Sequence, residues 1–119
     1  MKDVPINVAQ VVGGGICVSA ADGHRVHDLV YDHILAGHRV CLSFESVTRM
    51  TTAFLNTAVG QLYGAFPPDR LREQLAPPVC ADPRQLVQLK LVVDRAKVFF
   101  DNPVRARADF SQAIESDDG

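Results

Sequence analysis

Two adjacent hydroxyls, Thr51 and Thr52, open an apolar-periodic stretch that runs from Thr52 to about Ala65. A threonine just before a helix caps it, because its side-chain oxygen accepts from a first-turn N–H, worth about 1 kcal/mol. A threonine inside the first turn is placed for other chemistry. A phosphate there meets free N–H groups and the positive end of the helix dipole, and adds a charge of about −1.5 to −2 that the fold tolerates. Capping accounts for the Thr-Thr pair completely. Phosphorylation, with Thr52 the first candidate and Thr51 the second, is the functional alternative.

The same helix carries a second signal. At about 100° per residue, Phe54, Leu55, Ala58, Val59, Leu62, Tyr63 and Phe66 gather on one side, and Ala53, Asn56, Thr57, Gly60, Gln61 and Gly64 on the other. A solvated helix face normally carries Lys and Glu; this one carries small, uncharged residues. Gly60 and Gly64 each cost about 1 kcal/mol of helix propensity relative to alanine. Either another element of the same chain approaches closely, or Thr52, Asn56, Thr57, Gly60, Gln61 and Gly64 form a flat docking surface for a partner.

The remaining chemistry-bearing residues point to less. His24, His27, Asp28, Asp32 and His33 crowd one helix, and His24/His27 or Asp28/Asp32 could share a face, but no fixed ligand spacing is present and a polar helix face explains them. Cys17, Cys41 and Cys80 are odd in number, far apart and set in strand-like apolar runs, as buried reduced thiols are. Gly13 to Gly15 precede the strand-like ICVS rather than a helix, so they read as a turn and not as a phosphate loop. With no nucleophile-base pair and no metal spacing, neither a catalytic residue nor a metal nor a cofactor is assigned. The expectation is a non-enzymatic protein.

The elements that must position these residues follow from periodicity. Ile6 to Val12 and Ile16 to Ser19 read as two strands of a hairpin around the glycines. From Ala20 the period becomes helical, with Val26, Leu29, Val30 and Ile34 at spacings of three and four, Ser19 to cap, Asp22 as a capping-box acid and Gly37 to stop. Val40 to Phe44 reads as a strand covered on both faces. After the Thr52 helix and Pro67-Pro68 come a short helix (Asp69 to Leu75), a brief strand (Val79 to Ala81) and a long helix from Pro83. The last apolar stripe, Leu86 to Phe100, favours helix over a strand at Lys97 to Phe100. The predicted fold class is α/β: a small four-stranded mixed sheet covered by helices, in the order β-β-α-β-α-β-α plus a short C-terminal helix with Phe110 and Ile114 as anchors.

Composition sets the outer bounds. A chain of 119 residues, 47% hydrophobic and 22% charged, suits one globular domain. The net charge of −2 and the scattered basic residues argue against a nucleic-acid partner. There is no apolar run long enough to span a bilayer, and the start MKDVPINV lacks the features of a signal peptide, so a cytoplasmic protein without a membrane partner is expected.

Three segments in order, SAADGHRVHDLV, VCLSFESVTRMTTAFLNTAVGQLY and LKLVVDRAKVFFDNP, resemble the STAS-like domains, a family distantly similar to the anti-sigma-factor antagonists. The resemblance covers about Ile6 to Pro103 and is most specific in MTTAFLNTAVGQLY, through Phe54, Leu55, Asn56, Gly60, Gln61 and Tyr63. It implies a STAS-like domain over residues 1–103, followed by a C-terminal helix and frayed tail over 104–119. It further implies a regulatory module that docks a protein partner, an anti-sigma factor or histidine-kinase-like ATPase, through the helix starting near Thr52, with Thr52 at the phosphorylated position. The antagonists usually carry an Asp directly before that hydroxyl residue and another acid in the preceding strand, where this chain has Thr51 and Ser43. The alternative to a switched module is a structural or homodimeric interaction subunit that buries the same helix against its own copy.

Overall fold

The computed structural model describes residues 1–101, and the expected helix around Phe110 and Ile114 lies outside them. In chain order the elements are β1 (Asp3–Asn7), α1 (Val8–Val12), β2 (Ile16–Cys17), α2 (Ala20–Leu35), β3 (Arg39–Ser43) and β4 (Arg49–Met50). There follow α3 (Thr52–Leu55), a π-helical turn (Asn56–Gly60), α4 (Leu62–Ala65), α5 (Pro68–Gln74) and α6 (Pro83–Phe99).

Asn7 turns the chain from strand into helix, where the sequence predicts a strand continuing to Val12. Its side chain accepts from the Gln10 N–H at 3.0 Å, the helix starts at Val8, and Gly13 ends it with φ of 95° and an N–H donated to the Ala9 carbonyl. Residues 8–12 are therefore helical, and the predicted N-terminal hairpin is corrected. β1 pairs in parallel with β3, Asp3 opposite Arg39 through Asn7 opposite Ser43, while β2 pairs in parallel with β4, Ile16 opposite Arg49.

The predicted single four-stranded mixed sheet is accordingly replaced by two two-stranded parallel sheets among the described residues. The expected strand at Val79 to Ala81 survives only as backbone bonds beside β3. The Ala76 N–H donates to Val40 O at 2.8 Å, the Val79 N–H to Leu42 O at 3.0 Å, and the Phe44 N–H to Val79 O at 3.0 Å. Pro77 and Pro78 lack an N–H, so no continuous ladder can form between those contacts.

The helices follow their signals more closely. Ser19 caps α2 by accepting from the Asp22 N–H at 3.1 Å, and the Asp22 carboxylate faces Arg25 at 3.6 Å. Gly37, at φ of 82°, turns the chain out of the helix as a left-handed glycine does. Asp82 and Gln85 form a reciprocal capping box at the start of α6, which is helical to Phe99 and rules out the alternative strand there. One core joins Val26, Val30 and Ile34 of α2, Val40 and Leu42 of β3, Phe54 and Leu55 of α3, Leu62 of α4, Leu71 of α5 and Val92 of α6. Burying such a side chain stabilises by about 1.5–3 kcal/mol, so the segment from Phe54 to Leu62, buried at nearly every position, is the central pillar.

Candidate functional site

Thr51 is the cap that its position predicts. Its Oγ1 accepts from the Phe54 N–H at 3.2 Å and donates to the Val18 carbonyl at 3.3 Å, so both hydrogen-bonding capacities bind α3 to the chain end of β2. Thr52 lies in the first turn and is 4% exposed, and its Oγ1 has no hydrogen-bond partner. One turn on, Asn56 is 3% exposed and its Oδ1 is equally unpartnered. A buried polar atom left unsatisfied costs about 1–3 kcal/mol. Two such atoms lie four residues apart at the beginning of this helical segment.

The segment departs from regular α-helix at the same place. The Gln61 N–H donates to the Asn56 carbonyl at 3.0 Å, a five-residue step that defines the π turn. Thr57 donates from Oγ1 to the Ala53 carbonyl at 3.2 Å. The expected open face is closed. Asn56, Thr57 and Gly60 are buried, and Gln61 and Gly64 are partly buried. Gly23 of α2 packs so closely that a β-carbon on it would stand 2.8 Å from the Phe54 carbonyl oxygen, and one on Gly64 would stand 2.7 Å from the Phe100 ring. Small residues here serve close approach within the chain. The reading of Asn56, Thr57 and Gly60 as a solvent-facing docking surface is corrected for that reason.

What the helix start does offer to solvent is a cleft of about 260 Å³ beside Thr51, lined by Thr48, Arg49, Met50, Asp82, Arg84, Gln85 and Gln88. The strand β4 and the first turns of α6 build it together. Gln85 Nε2 donates to the Val47 carbonyl at 3.1 Å and Gln88 Nε2 to the Met50 carbonyl at 3.0 Å, so two α6 side chains fix the loop and strand that lead into α3. Arg49 and Arg84 are exposed at its rim. The Asp82 carboxylate is engaged in its cap, accepting from the Gln85 N–H at 2.8 Å. Sequence periodicity does not reveal this cleft, because Arg49 and Arg84 come from elements far apart in the chain.

The other chemistry-bearing groups stay apart. Cys17 is buried, Cys41 partly buried and Cys80 exposed, and all three are free thiols. Burial, and secondarily the Asp22 carboxylate, pushes the Cys17 thiol above its ordinary value, which keeps it a neutral core group. Burial, then Asp94, likewise raises the Tyr63 hydroxyl. His24 and His27 meet edge to face, with ring centroids 6.4 Å apart, and His27 Nδ1 lies 3.1 Å from the Asp28 carboxylate. Among the described residues no three His, Cys, Asp or Glu side chains converge as a metal cage would require. None of the helices among them is long and apolar enough to cross a membrane.

The profile of the STAS-like domain of unknown function matches residues 22–83, the span from the first turn of α2 to the start of α6. The chain belongs to that family. No curated protein sequence matches the chain, and no solved structure does. The matched span contains both sheets' second strands, the Thr51–Thr52 pair, the π turn and most of the cleft's loop-side wall, while β1, α1, β2 and all but the first residue of α6 lie outside it.

Proposed function

We propose that this chain is a non-enzymatic regulatory module that docks a protein partner at the start of α3, in the cleft between β4 and α6. The observation that carries the reading is the placement of Arg49 and Arg84 at the rim of a polar cleft whose inner wall includes Thr51. Two guanidinium groups from separate elements match an acidic segment of a partner, since arginine pairs with carboxylates in a fixed bidentate geometry. The resemblance to anti-sigma-factor antagonists supplies the class of partner, a histidine-kinase-like ATPase or anti-sigma factor. Calorimetric titration against such an ATPase tests it: an Arg49→Glu/Arg84→Glu variant that keeps its circular dichroism is expected to lose binding. Unchanged affinity in that variant overturns the docking surface.

Phosphorylation at Thr52 is the switch attached to this reading. Its buried, unpartnered hydroxyl supports it, because opening the first turn of α3 returns that group to water and recovers part of its desolvation cost. Intact-mass measurement with partner and ATP is expected to show one added phosphate that is absent in Thr52→Val. Phosphate on another residue removes the switch while leaving the docking reading in place.

A second reading rests on a different surface. Val87, Leu91 and Val98 form one exposed stripe on α6, at 68%, 41% and 76% exposure. A second copy of the chain pairing stripe to stripe would make the protein a homodimeric interaction subunit with no phosphorylation switch, the arrangement that isologous contacts favour.

A further inference from the structure

We propose that His33 and His38 form a two-histidine chelate for a divalent transition-metal ion of the zinc, nickel or copper class, at the junction between α2 and β3. Their Nδ1 atoms stand 3.0 Å apart. Imidazole nitrogens bind such ions at about 2.0–2.1 Å, so two nitrogens on one ion at angles near 90–110° lie about 2.8–3.4 Å apart. The observed separation falls within that interval. Both side chains are partly buried, so water and ions reach them.

The scaffold beneath the pair is unusually well fixed for the end of a helix. The His38 N–H donates to the His33 carbonyl at 2.9 Å, and Gly37 makes the left-handed turn between them. Buried Gln74 on α5 then ties both sides of the turn, its Nε2 donating to Ile34 O at 2.9 Å and to His38 O at 2.8 Å. Arg70 adds a bond from its guanidinium to Ile34 O at 2.9 Å and one to Gln74 Oε1 at 2.7 Å. The backbone on both sides of the turn is thereby held, and the two rings project from it toward each other. A chelate therefore orders no backbone on binding and fixes only the torsions of the two rings.

Without metal, the two nitrogens at this distance share a proton: one ring is the Nδ1–H tautomer and the other accepts. When the ion binds, two metal–nitrogen bonds form and two of its waters leave. The donor ring gives up its Nδ1 proton and takes one at Nε2, so a neutral pair keeps the same number of protons. The ring centroids, 5.3 Å apart and inclined at 37°, set the nitrogens nearly head on. Each ring turns about its side-chain torsions to aim both lone pairs at one ion. The pair supplies two ligands and water completes the shell, since no third protein ligand converges among the described residues. The site is a staple across a turn, distinct from the cleft beside Thr51.

Calorimetric titration of untagged protein with Zn2+ and Ni2+ tests the proposal. One ion per chain is expected, with affinity reduced about tenfold or more in His33→Gln and in His38→Gln and unchanged in a His24→Gln/His27→Gln variant. Substoichiometric Cu2+ added to the wild type is expected to broaden the imidazole proton resonances of His33 and His38 first, a readout that requires no variant to fold. Absence of binding, retention of full affinity in His38→Gln, or first broadening at His24 and His27 overturns it.

Discussion

Gly23 of α2 and Thr57 of the π turn touch so closely that a β-carbon on the glycine would lie 2.9 Å from the threonine's Cβ. The helix lies flat on the central pillar because one side of the contact has no side chain. Gly23→Ala must push α2 away from the Phe54 carbonyl and Thr57, an overpacking cost of about 1–3 kcal/mol. Gly14, where a β-carbon meets nothing within 4 Å, is the matched control. Urea unfolding of the two variants is expected to show a clear loss of midpoint in the first and little change in the second.

Thr51 and Thr52 are expected to behave oppositely although they are neighbours. Thr51→Ala removes a cap and costs about 1 kcal/mol. Thr52→Val substitutes a methyl for a buried hydroxyl that bonds to nothing, so stability is expected to hold or rise, by up to about 1 kcal/mol. Thermal unfolding of both variants in the same buffer decides, and a Thr52→Val protein less stable than Thr51→Ala would mean that the hydroxyl has a partner after all.

The Gln74 clamp makes a sharper forecast. Gln74→Leu keeps most of the volume but takes the Gln74 donor from the His38 carbonyl, in a site where Gln74 is 4% exposed, while the Ile34 carbonyl keeps its bond from Arg70. Losing the Gln74 bonds is expected to cost about 1–3 kcal/mol. Hydrogen exchange should rise at the His38 N–H before it rises in the body of α2.

Stability is expected to decline at alkaline pH through Cys17. Its folded thiol titrates above the ordinary value of 9.0 because burial disfavours the thiolate. The contribution is fully present below pH 9 and is lost as pH rises from there through the folded value, because the unfolded chain ionises first. Replacing the thiol by Cys17→Ala should flatten the alkaline limb of stability against pH, read from urea midpoints measured between pH 7 and 11. An identical slope in the variant would shift the cause to Tyr63.

The reading of α6 as a dimer face is tested by Val87→Lys together with Val98→Lys, which leave the core untouched because both side chains point to solvent. Light scattering over a range of protein concentrations is expected to show wild-type mass rising with concentration and the variant fixed at the monomer. A wild type that stays monomeric throughout sets the homodimer aside.

Much of this architecture is legible in the residues, and what is not has physical causes. Ser19, Gly37, Asp82 and the apolar spacing of α2 and α6 act locally, so their helices can be read at once. Val8 to Val12 misleads because valines favour strands by packing preference, while Asn7 and Gly13 supply a cap and a stop that favour one short helix. The face from Asn56 to Gly64 misleads in another way. Lack of charge marks burial and docking alike, and only the approach of α2 at Gly23 tells them apart. The cleft and the histidine pair each need a fold to bring their members together, although a glycine turn between His33 and His38 is a visible hint for the second.

No strand in the described part of the molecule finds its partner by a hairpin. Asp3 waits for Arg39 and Ile16 for Arg49, so both parallel pairs close around α2 and neither can form alone in a short fragment. A chain emerging from the ribosome has no strand pair to make until Arg39 is free, and the second sheet must wait for Met50. Such interleaved closures entail a large loop entropy before any reward, which predicts slow, all-or-none folding for a protein so rich in helix. Cutting the chain within α2 would therefore abolish both sheets at once.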